Sequence, residues 1–242
     1  MSNRFKKSNL ITKVRSVVVR SVKKNMSIEI TARKDWKGNR ASALTTVGAK
    51  YNKDSIIQRE KHDFYATSPK AMYQLLEKEK FAEVIHECAC GQGHLSTVLE
   101  DKGHTVFSSD LIDRGYKNTY LIDFLDNAAI EKNLLFLKTM SKDKFDIITN
   151  PPFRYAEEFV RQALKVVSEG QKVAMFLRIQ FLESKKRAAL FAEHPVKTVY
   201  VASNRIECGI NGNFTGKPSA ACYAWFVWEK GYTGDTCLKH FN

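Results

Sequence analysis

From about residue 64 the chain alternates between two hydrophobic periods. "FAEVIHECA" (81–89), "HTVFSSD" (104–110), "NTYLIDF" (118–124), "KFDIITN" (144–150), "QKVAMFLRI" (171–179), "VKTVYVAS" (196–203) and "ACYAWFVWE" (221–229) are short apolar runs rich in β-branched and aromatic residues, and they predict strands. Between them lie pieces with helical spacing: "GQGHLSTVLEDKG" (91–103), "LDNAAIEKNLLFLKTM" (125–140), "RYAEEFVRQALKVVSEG" (154–170, stopped by Gly170) and "ESKKRAALFAEHP" (183–195). Ahead of the first strand, Ser68-Pro69 reads as an N-cap with proline at the first helical position, and Ala71, Leu75 and Leu76 follow at helical spacing. This predicts a helix from Pro69 to about Glu79. Strands alternating with helices predict an α/β fold with a parallel, doubly wound sheet, whose ligands sit beyond the carboxyl ends of the strands.

The first 61 residues follow neither period. Residues 27–63 are polar with scattered glycines, and residues 1–25 hold eight Lys and Arg and no acid. The whole chain carries a formal net charge of +13 over 242 residues. Residues 1–61 hold 16 bases against four acids, so nearly all of the excess lies there, and the remainder is close to neutral. A basic arm (1–61) on a neutral domain (62–242) is the footprint of a polyanion partner, nucleic acid above all. Met26 is an alternative translation start that would leave a net charge of +5. Arg20 breaks the first apolar stretch, and no run approaches the ~20 residues of a membrane helix. The expected location is the cytoplasm, with no membrane partner. The five cysteines include no CxxC pair, so they read as reduced thiols and no metal site is expected.

Two stretches carry chemistry. "HECACGQGHLS" places Gly91 and Gly93 between a strand and a helix, where glycine permits a tight turn and close approach of backbone to ligand. Asp110 ends the next strand, where a carboxylate can grip ribose hydroxyls. Asp123 and Phe124 end the third, where an acid can accept from an adenine amino group and a ring can cover its face. The turn reads G-x-G-x-x-S, with Ser96 at the third position, and Glu87 stands just before it. An acid there repels a pyrophosphate but suits a ligand with an ammonium and a sulfonium. That favours S-adenosylmethionine over a dinucleotide.

The second stretch is "DIITNPPFRYAEEF" (146–159). A buried strand ends in Asn150-Pro151-Pro152-Phe153. Two prolines remove two backbone donors and freeze the chain. A planar aromatic amine is a poor nucleophile, because its lone pair is delocalised into the ring. The Asn150 side-chain carbonyl and the Pro151 backbone carbonyl can hold both of its N–H groups, while Phe153 offers a stacking face. A base in a duplex must leave the stack to reach such a pocket.

On these residues the chain resembles the S-adenosylmethionine-dependent DNA adenine-N6 methyltransferases. The resemblance covers about residues 62–235 through "DFYATSP", "ECACGQGHLS", "SSDLIDRGY", "DFL" and "TNPPF". Through "MFLRIQFLESKKRAALF", "VYVASNRI" and "AWFVWEKGYTGDT" it is also similar to a small phage- and prophage-associated subgroup, which would place it in host cytoplasm. The resemblance implies a seven-stranded sheet of the class I methyltransferase (Rossmann-like) type, strand order 3-2-1-4-5-7-6, last strand antiparallel. It implies that Glu87, Gly91 and Gly93 line the donor's amino-acid end, that Asp110 meets its ribose, and that Asp123 and Phe124 meet its adenine. Tyr65, Ala66 and Thr67 would close over the donor, and Asn150, Pro151, Pro152 and Phe153 would hold the target amine. Ala89 replaces the usual first glycine of the turn.

No segment is long enough for a separate target-recognition domain. Recognition is therefore expected from the basic arm or from "NRIECGINGNFTGKPSA" (204–220), with Arg205 and Lys217, and more weakly from Arg178 and Gln180. Methylation of an RNA base or a protein glutamine, and an inactive nucleic-acid-binding module, remain alternatives at this stage.

Overall fold

The computed structural model describes residues 64–142 and 144–241. The basic arm and Met26 lie outside the described residues. An eight-stranded sheet forms the centre, built from β2 (Val84–Glu87), β3 (Thr105–Asp110), β4 (Thr119–Leu121), β5 (Phe145–Thr149), β6 (Lys172–Arg178), β7 (Thr198–Ala202), β9 (Tyr223–Glu229) and β10 (Cys237–Phe241). Their order is β10-β7-β9-β6-β5-β2-β3-β4, and β9 alone runs antiparallel to its neighbours. Without β10 this is the 3-2-1-4-5-7-6 order expected above. β10 is an addition, an edge strand paired in parallel with β7. Four of its five residues are exposed, so "CLKHF" shows no apolar alternation to betray it.

A second, two-stranded sheet pairs β1 (Tyr65–Thr67) with β8 (Cys208–Ile210) in antiparallel register, Tyr65 opposite Ile210 and Thr67 opposite Cys208. The main helices are α1 (Pro69–Lys78), α2 (His94–Asp101), α3 (Asn127–Ser141), α4 (Ala156–Val166) and α5 (Ala188–Glu193). Asp126 caps α3 by accepting from the N–H groups of Ala128 and Ala129, and this fixes where that helix begins. Ser68 precedes α1 as expected, but its hydroxyl makes no capping bond.

The strands distribute their side chains by the two-residue period. Val173, Met175 and Leu177 of β6 join one core with Ile130, Leu134 and Leu137 of α3 and with Phe159, Val160 and Ala163 of α4. Ala174 and Phe176 join the other, with Met72 and Leu75 of α1 and Leu95, Val98 and Leu99 of α2. Both cores are apolar, as a sheet covered on both faces requires. At the amino edge, buried Asp146 ties three segments together, accepting from the N–H groups of Ala82 and Lys172 (both 2.6 Å) and from Gln171 Nε2 (2.9 Å).

Trp225 fastens α1 to the sheet. It is fully buried, and its indole Nε1 donates to the Ala71 carbonyl at 3.0 Å. Trp225→Phe removes that bond and part of the packed volume, and is expected to lower the unfolding free energy by about 2 kcal/mol. A urea midpoint shifted at constant slope would record it; an unmoved midpoint would mean the ring's outer atoms contribute nothing. Among the described residues, no helix is long and apolar enough to cross a membrane.

Candidate active site

Strand order reverses between β2 and β5, so their carboxyl ends flank the sheet's switch point, where doubly wound folds bind ligands. Glu87 ends β2 and Asn150 follows β5. Asp110 ends β3 beside them.

The glycine turn is tied to β3. Cys90 N donates to Ser109 O at 3.0 Å, and Gly91 N donates to Asp110 Oδ2 at 2.8 Å, while Ile112 N donates to Asp110 Oδ1 at 3.0 Å. The carboxylate predicted to meet a ribose thus also holds the turn in place. Burial pushes the Asp110 carboxyl above its usual range, with these N–H donors working against the shift. Gly91 and Gly93 have φ of 55° and 81°, the left-handed region that side chains disfavour. Aromatic rings pack on both: a Cβ at Gly91 would meet Phe64 at 2.3 Å, and one at Gly93 would meet Tyr116 at 2.3 Å. Gly93→Ala is therefore expected to destabilise the turn by about 1–2 kcal/mol from backbone strain alone. Adding Tyr116→Ala removes the ring clash and leaves the strain. Equal melting temperatures for Gly93→Ala and the native chain would show that the turn relaxes freely.

Glu87 is 1% exposed. Its Oε1 accepts from Ala89 N at 3.2 Å, and its Oε2 is buried with no hydrogen-bond partner. Desolvation pushes its carboxyl up to about 8, with the nearby Thr149 hydroxyl and Ala89 N–H pulling down and the charge of Asp110 pushing up. A buried carboxylate oxygen with nothing to accept from is the exception in folded proteins, and it fits a ligand that brings a cation.

Asn150 repeats the pattern. Its Nδ2 donates to the Tyr65 carbonyl at 2.7 Å, which aims its carbonyl oxygen away, and that Oδ1 is buried without a partner. The hydroxyl of Thr67 is also buried and unpartnered. Pro151 is buried, and the Pro152 carbonyl accepts from Tyr155 N at 2.9 Å, opening a short 3-10 turn, Phe153–Tyr155, into α4. The double proline therefore fixes Asn150 and launches the helix behind it.

Phe153 stands among aromatic neighbours. Tyr65 lies 6.0 Å away at 26° and Tyr223 5.7 Å away at 32°, and the Arg178 guanidinium carbon sits 5.0 Å from its ring centroid. Arg178 and Tyr223 are register partners across β6 and β9. Tyr223 was not singled out by sequence, where it reads as one apolar residue of a buried strand.

Tyr65, Ala66 and Thr67 form β1 and are carried on β8, inside the 204–220 loop. The two segments assigned separate tasks by sequence are thus one ribbon. The loop reaches the glycine turn as well: a Cβ at Gly212 would collide with Gln92, and Phe214 meets the edge of His94 at 5.3 Å. Arg205 and Lys217 lie on a cleft beside the ribbon. Gln180 is exposed, and its carbonyl helps hold Arg187.

Asp123 follows β4, next to Asp110 through the Ile122 N–Asp110 O bond of 2.9 Å, and its Oδ1 accepts from Leu125 N at 2.9 Å. Phe124 departs from expectation. It is 2% exposed and packs against His86 at 5.6 Å and Phe159 at 5.2 Å, so its ring belongs to the core and offers no face for a ligand's adenine.

No family model matches the chain, and no curated protein matches it. Solved structures do. One is a class I S-adenosylmethionine-dependent methyltransferase from Listeria monocytogenes, 13% identical over 71% of this chain and 62% of that one, TM-score 0.40. Another is the DrdV–DNA complex, 13% identical over 73% of this chain and 27% of that one, TM-score 0.49. A third is the M protein of the type I restriction enzyme EcoKI, 14% identical over 72% of this chain and 45% of that one, TM-score 0.48. The chain thus spans less than two thirds of each of these three chains. Its own strand order, with one antiparallel strand and the candidate site at the switch point, is that of the class I, Rossmann-like methyltransferase fold.

Proposed function

We propose that this chain is an S-adenosylmethionine-dependent methyltransferase acting on the N6 amino group of adenine in DNA. One observation carries the reading: Asn150, at the carboxyl end of β5 beside the switch point, spends its Nδ2 on the Tyr65 carbonyl and keeps a buried, unpartnered Oδ1. An acceptor left bare in that place is built for an N–H group that arrives with a substrate.

Glu87 and the Gly91–Gly93 turn would hold the donor's cationic amino-acid end, Asp110 its ribose, and Asp123 its adenine, with residues 65–67 closing over it. Bound there, the donor supplies a methyl group on a positively charged sulfur. Asn150 Oδ1 and the Pro151 carbonyl accept the two N–H groups of the target amine and favour pyramidal nitrogen. A C–N bond forms as the C–S bond breaks; the amine then loses one proton to water, and no ionised base is required. Phe153, between Tyr65 and Tyr223, supports the extruded base. Residues 62–242 would carry this chemistry, and the basic arm would add affinity for the polyanion.

The deciding experiment incubates the full chain with isotopically labelled donor and with DNA, RNA or protein, and identifies the methylated product by mass spectrometry. N6-methyladenine in DNA is the expected product. Label in RNA or on glutamine would replace the substrate, and calorimetry without donor binding would leave only a nucleic-acid-binding module.

A further inference from the structure

Beside the β1–β8 ribbon, on the side of α1, lies a cleft of about 270 Å³ whose lining includes Ser68, Lys70, Gln74, Arg205, Glu207 and Lys217. It is smaller than the ~300–1,000 Å³ of pockets that engulf a drug-sized molecule, so it suits a compact charged group better than a base.

Its chemistry is one-sided. Lys70 and Lys217 make no ion pair among the described residues, and one Nη of Arg205 donates to the Ala220 carbonyl, which pins the side chain at the rim. The single acid of the six, Glu207, is already committed: its carboxylate accepts from the N–H groups of Thr215 and Gly216 and from the Thr215 hydroxyl. Helix α1 opens here with no acid in its first turn and a Ser68 hydroxyl that caps nothing; Pro69 brings no N–H and the Ala71 N–H is spent on the Ser68 carbonyl, so the helix adds the positive end of its dipole rather than a row of donors. Gln74, one turn further on, is only 8% exposed, yet its side-chain amide has no hydrogen-bond partner among the described residues. An amide that reaches the cleft unpartnered, among three cations, is available to donate to a polar ligand there.

We propose that this cleft seats a phosphodiester of the DNA strand whose adenine enters the Asn150 site; the assignment rests on the function proposed above. The spacing agrees with it. Asn150 grips the Tyr65 carbonyl, and the cleft begins at Ser68, three residues along an extended strand, or roughly 10 Å. That distance corresponds to about three base pairs of duplex rise, or fewer nucleotides of an unstacked strand. Ser68 is fixed to the loop by its N–H bond to the Glu207 carbonyl at 3.3 Å, so strand contacts on the loop are registered against the amine site. The ribbon that would cover the donor would thus also hold the flanking backbone.

The test is an amine footprint on the full chain with donor bound. Acetylation of each lysine is followed by mass spectrometry, with and without an adenine-containing single-stranded DNA oligonucleotide. Lys70 and Lys217 are expected to react at least about fivefold more slowly when DNA is bound, and exposed Lys132 on α3 at an unchanged rate. The Lys70→Ala/Lys217→Ala chain should bind the oligonucleotide about tenfold more weakly, with a salt slope smaller by one to two and donor affinity unchanged. Equal protection by RNA of the same sequence upholds the phosphodiester assignment; protection by RNA alone overturns it. Unprotected lysines in a chain that does methylate DNA overturn the cleft and leave the proposed function standing. A chain that binds donor but no polynucleotide overturns both.

Discussion

Asn150→Ala is expected to lower turnover by about 10²–10³-fold, the scale seen when one preorganised polar group is removed from a transition state, while the donor dissociation constant stays within about threefold. The reason lies in how the side chain is divided. Its Nδ2 is spent on the Tyr65 carbonyl at 2.7 Å, and its Oδ1 has no partner in the protein. The first bond is structural and small, because β1 is also held along its length by β8. The second is made only with a substrate, and it strengthens as the amine nitrogen becomes pyramidal and positive. Its loss should therefore fall on kcat rather than on folding or donor affinity. Single-turnover transfer and donor calorimetry on the same preparation separate the two. A loss shared equally between turnover and donor binding would make Asn150 a strut for β1 instead.

The sheet was legible because its strands obey the simplest rule available: alternate residues serve two cores, and β5, β6 and β9 keep that alternation along their lengths. The helices that cover them were legible for the same reason. What escaped was whatever pairs without burying a stripe. β10 exposes four of its five residues, and β1 and β8 are three-residue strands, too short to show an alternation. Phe124 failed differently. Its place at a strand end suggested a ligand face, but strand position says nothing about which way a ring turns, and here it closes a gap between His86 and Phe159.

The unexpected ribbon changes what the site residues mean together. Tyr65–Thr67 and the 204–220 loop read as a donor lid and a target contact; they are paired strands of one ribbon. On the proposed function, whatever orders the loop against DNA would also order the strand over the donor, and the approach of Gly212 and Phe214 to Gln92 and His94 would extend the effect to the glycine turn. Positive coupling between the two ligands would follow, since either would supply part of the ordering entropy of the other.

Donor affinity is expected to rise about tenfold per unit as pH climbs toward 8 and to stop rising there, where the donor's own ammonium begins to deprotonate. Glu87 is the cause. Burial holds its carboxyl neutral up to about 8, whereas a cationic sulfonium and ammonium beside the unpartnered Oε2 favour the carboxylate. Donor binding below that value must therefore expel the Glu87 proton, and the cost of expulsion shrinks as pH rises. Between pH 6 and 8 the gain should be about 50-fold. Calorimetry in two buffers of different ionisation enthalpy should find close to one proton released per donor at pH 6.5. Glu87→Gln should bind weakly with no slope. The same proton sets the sign for folding. The folded value lies above the ordinary 4.5, so the native state keeps a proton that the unfolded chain has surrendered. Stability of the donor-free protein should fall as pH rises from about 5 to 8 and flatten beyond, and Glu87→Gln should remove that decline. Opposite slopes for stability and donor affinity over one pH window, both abolished by one substitution, would not arise from a carboxyl group that merely fills space beneath the turn. A native chain whose donor affinity is flat from pH 6 to 8 would remove Glu87 from the donor's cationic end.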